Sequence, residues 1–351
     1  MDHKRRFLSV ALIILCLFSL TSCDIFSQRR AVSGNGLEVH FIDVGQADSA
    51  LLMCDGQNLL IDGGNVGDSS LLYSYLESYG ITRLDYVIAT HPHEDHIGGL
   101  TGALSYAEPG MVYSPVAEDS SSNFKKLLNK LAETGTEITV PEVGDSFELG
   151  EAIVTFLGPM EITEDKNNNS LICRVDYGDI SFLFTGDAER SSENDLLDAG
   201  ANLSANVLKV GHHGSSASTS YRFLRAVNPV YAVISCERNN MYGHPHDELL
   251  SRLRDAGVSI LRTDRNGTVI FTTDGTTLSV NVERGTVNPA EEEETTEEPA
   301  DGEVMYIGNK SSGKYHKPSC TGLPSEKNTV YFYSLDEAIS SGYDPCGLCK
   351  P

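Results

Sequence analysis

The stretch that decides the fold of this chain is Thr90-His91-Pro92-His93-Glu94-Asp95-His96-Ile97-Gly98-Gly99, at the end of an apolar strand predicted over 84–90. Imidazole and carboxylate groups are the ligand types that suit borderline cations such as zinc or manganese. His91 and His93 are two residues apart and can face one metal, while Asp95 and His96 are turned towards a second. The stretch therefore predicts a dinuclear metal site.

Two later loops carry matching chemistry. Thr185-Gly186-Asp187-Ala188-Glu189 ends a hydrophobic strand predicted over 180–185, and Gly211-His212-His213-Gly214-Ser215 follows a strand predicted over 207–210. A carboxylate between two cations can bridge them, and this is the role expected for Asp187. A histidine of the second loop completes the second metal, but spacing does not separate His212 from His213.

Strands and helices alternate outward from this stretch, between Leu37 and about Glu283. Hairpins occur as well as crossovers, which predicts two packed sheets covered by helices. Helices are predicted at 69–79, 123–133, 192–199, 219–227 and 247–256. Strands are predicted at 37–43, 49–53, 58–61, 84–90, 153–156, 170–176, 180–185, 207–210, 231–234, 259–262 and 269–273.

The N-terminus has the pattern of an export signal. Three basic residues precede an apolar run, 7–20, that is too short for an ordinary membrane span. Leu20-Thr21-Ser22-Cys23 resembles a bacterial lipobox, which predicts a signal peptide at 1–22 and a lipid on Cys23. The protein is then expected outside the cytoplasm, anchored to the cell membrane. A plain signal peptide or an uncleaved anchor is the alternative.

The predicted domain order follows from composition. A spacer at 23–36 leads to the main domain at 37–284, and a Glu-, Thr- and Pro-rich stretch at 285–303 is expected to be a solvated linker before a compact tail at 304–351. The formal net charge of −24 argues against tight, non-specific binding of nucleic acid. It leaves phosphate-ester hydrolysis open, because bound cations can reverse the field in a cleft.

The main domain resembles the metallo-β-lactamase superfamily and, within it, the hydrolase domain of ComEC-type DNA-uptake proteins. The resemblance covers roughly 37–274 and rests on five separated segments: Phe41-Ile42-Asp43-Val44-Gly45-Gln46-Ala47-Asp48-Ser49, Ile61-Asp62-Gly63-Gly64, 91–99, 184–189, and 209–216 with Tyr242-Gly243-His244-Pro245-His246. It implies a four-layer αββα sandwich with the metals at the edge where strands of both sheets end.

The resemblance also implies site residues. His91 and His93 match ligands of one metal, Asp95 and His96 match ligands of the other, and Asp187 matches the bridging acid. His213 or its neighbour His212 matches the last histidine, with His213 favoured. Asp62 is expected beside the metals, where it orients a histidine. Asp43, Asp48 and His244 are expected around the ligands, although Asp43 and Asp48 could equally only fix turns.

Two positions depart from the family pattern. Many relatives have a further histidine before the Asp187 strand, where this chain reads Asn167-Asn168-Asn169-Ser170, so one metal is expected to be held by fewer ligands. Ala47 stands where the uptake-protein relatives usually have glycine.

The expected activity is metal-dependent hydrolysis, in which two cations, zinc or manganese, supply a hydroxide at neutral pH. Asp95 and Asp187 are expected to be essential for activity. The histidines outside the ligand set are candidates to protonate the leaving group: His246, His212 and His244. The resemblance favours a phosphodiester substrate, with DNA as a transient partner. The alternatives are a hydrolase of small esters, such as phosphocholine groups or lactones, and a catalytically weak binding lipoprotein.

The cysteines indicate a second metal site. Cys54, Cys173 and Cys236 lie in apolar runs and are expected to be buried, whereas His316, Cys320, Cys346 and Cys349 have the spacing of a closed structural zinc site. A disulfide among the last three cysteines is the alternative. The tail resembles the Ada-type zinc-binding module, but His316 stands where that family has a methyl-accepting cysteine, so methyl transfer is not expected. Ser334 and Glu337 form a capping box that predicts a short helix to about Ser341.

Overall fold

The computed structural model describes residues 36–287, 306–318, 320–332, 338, 341–346 and 349. The predicted signal peptide, the lipid on Cys23, most of the spacer, the Glu-rich stretch at 288–303 and the capping box at Ser334 lie outside the described residues. The chain divides into two compact units, Met1–Pro289 and Ala290–Pro351.

The first unit contains two sheets. The eight-stranded sheet has the order β15-β14-β1-β2-β3-β4-β5-β6, and the seven-stranded sheet has the order β13-β12-β11-β10-β9-β8-β7. The strands of the first sheet are β1 Leu37–Phe41, β2 Ala50–Cys54, β3 Gln57–Ile61, β4 Arg83–Ile88, β5 Glu108–Tyr113, β6 Ile138–Thr139, β14 Val269–Thr273 and β15 Leu278–Val282. Those of the second are β7 Ser146–Leu149, β8 Ala152–Gly158, β9 Ile172–Tyr177, β10 Ile180–Phe184, β11 Val207–Lys209, β12 Tyr231–Ile234 and β13 Ser259–Arg262.

Helices cover the outer faces of both sheets. They are α1 Ser69–Tyr79, α2 Glu94–Ile97, α3 Leu100–Tyr106, α4 Ser122–Ala132, α5 Arg190–Asp198, α6 Tyr221–Val227, α7 Asp247–Asp255 and α8 Thr263–Asn266. Short 3₁₀ turns lie at Val66–Asp68 and Gly211–Gly214.

Three hydrophobic layers hold the sandwich together. Between the sheets, Phe41 stacks on Phe184 with ring centroids 5.6 Å apart, and both rings are fully buried. Leu72 of α1 belongs to the layer behind the first sheet, and Phe223 of α6 belongs to the layer behind the second. Each buried ring of this kind contributes about 1.5–3 kcal/mol through burial. The predicted four-layer αββα sandwich is therefore confirmed.

Several elements begin and end where the sequence predicts, among them α1, β12, β13 and β14. The helix predicted at 219–227 begins at Tyr221 because Ser220 is its N-cap, with a side chain that accepts a hydrogen bond from Phe223 N–H. The strand predicted at 37–43 ends at Phe41.

Four strands of this unit have no counterpart among the predicted elements: β5, β6, β7 and β15. Strand β5 begins Glu-Pro-Gly, and because proline and glycine are depleted in strands the sequence does not predict it. Glycine is nevertheless required at Gly110, because a Cβ there would overlap the carbonyl oxygen of Asp85 on the neighbouring strand. Strand β15 lies at a sheet edge and alternates half-buried with exposed residues.

The second unit contains a four-stranded sheet of order β18-β16-β17-β19. The strands are β16 Tyr306–Asn309, β17 Lys314–His316, β18 Thr329–Phe332 and β19 Asp344–Pro345, with a 3₁₀ turn at Glu326–Asn328. Its hydrophobic core has only three buried members in the described part of the unit: Tyr315, Phe332 and Ala338. None of the helices described in either unit has the length and apolar character required to cross a membrane.

Candidate metal centre

Parallel strands bring the predicted site residues to one edge of the sandwich. Strands β3 and β4 run parallel in the first sheet, and β10, β11 and β12 run parallel in the second. Parallel strands end at the same edge, so the loops that follow these strands meet there. These loops carry Asp62, 90–99, 185–189, 211–214 and 235–246.

Glycines allow two of these loops to lie against each other. A Cβ at Gly99 would overlap the carbonyl oxygen of Gly63, and a Cβ at Gly98 would overlap the backbone of Asn65 and Val66. Gly63 N–H also donates to His96 O at 2.6 Å. The glycine pairs Gly63-Gly64 and Gly98-Gly99 are therefore required for the backbone contact between their two loops, which places Asp62 beside His96.

The first group of candidate ligands consists of His91, His93 and Asp187, whose donor atoms lie within 4.8 Å of one another. His91 is fully buried and His93 is half-buried. Nε2 of His91 is 3.0 Å from Nδ1 of His93. The spacing of two residues therefore does bring both rings to one point.

The second group consists of Asp95, His96, Asp187 and His213, again with donor atoms within 4.8 Å. Nε2 of His213 is 3.2 Å from Oδ2 of Asp95. His96 and His213 are at most 2% exposed, while the Asp95 side chain keeps 31% of its surface exposed. This group is therefore buried on the sandwich side and open to solvent through Asp95.

The carboxylate of Asp187 belongs to both groups. Its Oδ1 lies 3.2 Å from His96 Nε2 and 3.6 Å from His213 Nε2. Its Oδ2 lies 3.8 Å from His91 Nε2 and 3.7 Å from His212 Nε2. Each oxygen faces a different set of imidazoles, which is the arrangement that a bridging carboxylate requires.

Unsatisfied atoms show that this donor set fits cations. Among the described residues, His96 Nε2 and Asp187 Oδ1 are buried without a hydrogen-bond partner, a costly state that a cation relieves. Burial acts to raise the pKa of Asp187, but His96 and His213 outweigh it and hold that pKa well below its usual value. An ionised carboxylate among buried imidazoles fits a positively charged ligand.

Asp62 orients His96, as the sequence predicts. Its Oδ2 accepts from His96 Nδ1 at 2.8 Å and from the Thr90 hydroxyl at 2.7 Å, and its Oδ1 accepts from Thr90 N–H at 2.8 Å. Asp62 is only 1% exposed and has a left-handed φ of 58°, which is uncommon outside glycine. With Nδ1 occupied in this way, Nε2 of His96 is left to face Asp187.

His213 is held from behind by two groups. Its Nδ1 is 3.1 Å from the carbonyl oxygen of Ser235 and 3.2 Å from Asp48 Oδ1. The Oδ2 atom of Asp48 forms a 2.8 Å ion pair with Lys209. Burial acts to raise the pKa of Asp48, but Lys209 and His213 hold it below its usual value. Asp48 therefore contacts a ligand candidate directly and does not only fix a turn.

The tertiary structure separates His212 from His213. Both have positive φ, 50° and 51°, so consecutive side chains leave the turn towards the cluster. His213 is 2% exposed and joins the second group, whereas the His212 side chain is 24% exposed and faces Asp187 Oδ2. Nδ1 of His212 is 2.9 Å from Oε1 of Glu189. His213 thus takes the position of the last ligand. His212 lies on the solvent-exposed side of the metal centre, with the Glu189 carboxylate against its Nδ1.

The segment that lacks the family histidine has a structural role in this chain. Ser170 Oγ accepts from Asp187 N–H at 3.0 Å and lies 3.3 Å from His91 Nδ1. Asn168 Oδ1 accepts from Glu189 N–H at 3.2 Å and from Ser192 N–H at 3.3 Å, at the start of α5. These side chains hold Asp187, His91 and Glu189 in place and add no imidazole to the first group.

Three other predicted residues lie around the cluster. Asp43 accepts from Gly45 N–H at 3.4 Å and forms a 2.6 Å ion pair with Arg284, so it fixes a turn and contacts none of the cluster histidines in the described structure. His246 Nδ1 accepts from Ser216 N–H at 2.9 Å and precedes helix α7. The His244 ring lies 5.6 Å from His212 and 4.8 Å from His246, and burial, with the charges of these neighbours, lowers its pKa to about 4. The lowered pKa disfavours the imidazolium form of His244.

Sequence reasoning assigned no role to Glu189 or Lys209. Glu189 stands two residues after Asp187 in the same loop, and that spacing is the signal that could have suggested it. Lys209 is the one charged residue of the otherwise apolar strand β11 and is 4% exposed. A lysine within a buried strand predicts a buried acidic partner, because an unpaired charge in such a place is very costly.

The second unit holds a separate cluster. His316, Cys320, Cys346 and Cys349 offer donor atoms within 4.8 Å of one another, and none of the described cysteines is in a disulfide. His316 Nε2 is buried without a hydrogen-bond partner in the described structure, and the set of one nitrogen and three sulfurs fits a tetrahedral zinc site. All four predicted ligands are thus brought together.

Comparisons with known proteins agree with both sites. Residues 42–237 match the family model described as metallo-beta-lactamase superfamily, and residues 294–351 match the one described as metal binding domain of Ada. The chain is 34% identical over 253 residues to ComE operon protein 3 of Bacillus subtilis, covering 67% of this chain and 33% of that protein.

Two further relatives have comparable similarity. Competence protein ComA of Neisseria gonorrhoeae is 34% identical over 245 residues, covering 69% of this chain and 33% of that protein. Recombination protein 2 of Haemophilus influenzae is 30% identical over 268 residues, covering 74% of this chain and 31% of that protein. The chain thus spans about a third of the length of these relatives.

The family model covers more than half of the chain and includes all residues of the two donor groups, together with Asp48. The fold has the two sheets and the outer helices described above, and Asp187 is shared by the two donor groups. The chain belongs to the metallo-β-lactamase superfamily of metal-dependent hydrolases, with an Ada-type metal-binding domain at its C-terminus.

Proposed function

We propose that this chain is a phosphodiesterase that uses two divalent cations, held by the His91, His93 and Asp187 group and by the Asp95, His96, Asp187 and His213 group. The observation that carries the proposal is the division of the Asp187 carboxylate between two sets of imidazoles. Two cations close together supply a nucleophile at neutral pH and neutralise the charge that develops on a phosphoryl group.

The chain's own residues have distinct parts in this proposal. Asp62 holds the His96 ring through Nδ1, and the Ser235 carbonyl with Asp48 beside it holds the His213 ring through Nδ1, so Nε2 of each ring stays directed at Asp187. His212 is left outside the second group, with Nδ1 against Glu189 and Nε2 towards Asp187 Oδ2. A half-exposed imidazole held by a carboxylate is suited to deliver a proton to the leaving group from Nε2. His246 is the other candidate for this role.

The phosphodiester class is supported by two features. The relatives named for competence and recombination favour a nucleic-acid phosphodiester over a β-lactam. Asn167–Ser170 stands where many relatives have a further histidine, which leaves the first group with three donors, so a bound cation would have a position for a substrate oxygen.

The charge of the protein is the observation on the other side. A net charge of −24 favours a small ester substrate over a long polyanion.

The decisive experiment measures hydrolysis by the full chain with zinc or manganese. The substrates are bis(p-nitrophenyl) phosphate and single-stranded DNA, beside nitrocefin and a lactone. The proposal expects hydrolysis of the two phosphodiesters, and expects it to vanish in Asp187→Ala. Activity on nitrocefin or the lactone alone would refute it, and activity on the small phosphodiester without DNA cleavage would favour the small-ester alternative.

We also propose that the protein acts outside the cytoplasm on a lipid anchor at Cys23. The proposal rests on the basic and apolar start of the chain and on Leu20-Thr21-Ser22-Cys23. Metabolic labelling with an alkyne-tagged fatty acid is expected to label the wild type and not Cys23→Ser. An unlabelled wild-type protein would reject the anchor.

A further inference from the structure

Two large apolar side chains are exposed on the loop that leads to His244. Met241 is 89% exposed and Tyr242 is 61% exposed. Single exposed apolar residues are common and need no explanation. These two are consecutive, however, and they lie on a loop that belongs to the metal-centre edge.

The loop is held in one conformation by Asn240. The Asn240 side-chain oxygen accepts from Tyr242 N–H at 3.1 Å and from His244 N–H at 3.0 Å. Its side-chain nitrogen donates to Glu237 O at 2.8 Å and to His244 O at 2.5 Å. Four hydrogen bonds from one side chain fix the backbone on both sides of Tyr242, so the exposed ring is presented on an ordered support.

A continuous series of rings joins Tyr242 to the metal centre. The Tyr242 ring is stacked on His244, with centroids 5.7 Å apart and an interplanar angle of 25°. His244 packs edge-on against His212 at 5.6 Å, and His212 Nε2 is 3.7 Å from Asp187 Oδ2. Tyr242 is therefore connected to Asp187 through two intervening imidazole rings, those of His244 and His212.

Charge decides what kind of attraction this surface can provide. The chain carries a net charge of −24, so a phosphate backbone gains little from electrostatic attraction to it. Stacking of a base on an aromatic ring needs no charge and accepts every base. An exposed tyrosine stacked on an imidazole is therefore the form of attraction that an acidic protein can offer to a nucleic acid.

We propose that Tyr242, supported by His244 and flanked by Met241, stacks on a base of a single-stranded nucleic acid whose scissile phosphodiester is held at the metal centre. The inference rests on the proposed phosphodiesterase function and adds the substrate class. A paired base has both faces covered by its neighbours in the duplex, so the stack selects single strands.

The test compares Tyr242→Ala with wild type, using the full chain loaded with zinc. One substrate is a short oligothymidylate, and the other is an oligonucleotide of the same length in which every base is replaced by an abasic site. Stacking on one base is worth about 1–3 kcal/mol, which at 1.4 kcal/mol per tenfold change is about a 5- to 140-fold effect on KM. Tyr242→Ala is expected to raise KM for the oligothymidylate by that factor, with kcat unchanged and no change for the abasic substrate.

Matched variants separate stacking from folding. Tyr242→Phe and Tyr242→Trp keep an aromatic face and are expected to keep the wild-type KM. Tyr221→Ala removes a tyrosine that is 60% exposed on helix α6, where it contacts Asp255, and is expected to change neither substrate. Raising the salt concentration is expected to leave the Tyr242→Ala ratio unchanged, because stacking is not screened.

Binding of a phosphorothioate oligothymidylate, which resists hydrolysis, keeps the inference testable without turnover. A weaker Kd in Tyr242→Ala would support the stack even if the chain hydrolysed no phosphodiester and the proposed function failed. An equal loss for the abasic oligonucleotide, or no loss for either, would overturn the inference. Hydrolysis of bis(p-nitrophenyl) phosphate with no binding of oligothymidylate would also overturn it and leave the proposed function standing.

Discussion

The ammonium group of Lys209 lies 2.8 Å from the Asp48 carboxylate, and the two side chains are only 5% and 6% exposed. The other oxygen of Asp48 lies 3.2 Å from His213 Nδ1. Lys209 thus neutralises the carboxylate that orients a ligand candidate, although it touches no other member of the cluster in the described contacts. The metal centre therefore depends on a charge buried within strand β11.

Replacing Lys209 with methionine is expected to lower the free energy of unfolding by about 3–5 kcal/mol, because it leaves the Asp48 charge buried without its partner. Urea denaturation of the metal-free protein measures this change. Arg222→Met is the matched control, since Arg222 and Asp198 form a pair that is 67% and 74% exposed. The control should change stability by less than about 1 kcal/mol. Equal effects of the two variants would contradict the assigned role.

Asp187→Asn is expected to lower the metal content by up to two equivalents, because both groups lose the negative charge that they share. Hydrolysis should fall by more than about 100-fold, the upper range for residues that only support ligands. Metal analysis by mass spectrometry and a phosphodiester assay measure the two effects. Asp198→Asn, at an exposed position, serves as the control. Retention of full metal content in Asp187→Asn would show that the carboxylate is not shared.

His213→Ala and His212→Ala are expected to differ in metal content. His213→Ala should lose about one equivalent of metal, because His213 belongs to the second donor group. His212→Ala and Glu189→Gln should keep the metal and lower kcat by about 10²- to 10⁴-fold, the range for general acid catalysis. Metal analysis and steady-state kinetics on the same samples decide the matter. Loss of metal in His212→Ala would move this histidine into the first group.

His246→Ala is expected to lower turnover and to leave the metal content intact. His246 Nδ1 is occupied by Ser216 N–H, and the residue lies outside both donor groups of the edge cluster. His246→Gln keeps a hydrogen-bond acceptor at that position and should retain the fold of the loop. Loss of metal in the alanine variant would refute the placement of His246 outside the ligands.

The cysteines Cys54, Cys173 and Cys236 are buried, as the sequence predicts, and should resist alkylation in the native protein. Burial, with the nearby Asp264 carboxylate adding to it, raises the pKa of Cys236 to about 12, so the reactive thiolate is scarce at pH 8. Iodoacetamide labelling read peptide by peptide should modify these sites only after unfolding in urea. Rapid labelling of the native protein would contradict their burial.

Removal of metal by a chelator is expected to make the tail susceptible to proteolysis and to leave the hydrolase domain resistant. The tail has a core of only three buried apolar residues in its described part, so we expect a metal held by His316 and the three cysteines to supply most of its stability. Limited proteolysis with a strong chelator should cut within 306–349 and spare 36–287. His316→Ala should be cut without the chelator. Unchanged resistance in both cases would argue against a structural metal.

Local patterns were enough to predict most of the sandwich. Helix α1 and strands β12 to β14 match their predicted bounds, because apolar periodicity and capping act within a few residues. Strands β5 and β15 were missed because Pro109 and the half-exposed edge residues give no local signal. Pairing with neighbouring strands stabilises both elements, and that pairing is not visible in a local pattern. The Glu-rich linker and the N-terminal signal remain predictions.

The sequence by itself determined the chemistry of the two donor groups in the metal centre, since the spacing of His91, His93, Asp95 and His96 already divides these ligand candidates into two groups. Only the tertiary structure decided between His212 and His213, which are neighbours in the chain and equal in chemistry. The decision rests on partners from other parts of the chain, Asp48 for His213 and Glu189 for His212. The physical reason is that a side chain's role at a metal centre is set by burial and by the group behind it, and both arise only when distant strand ends meet at one edge.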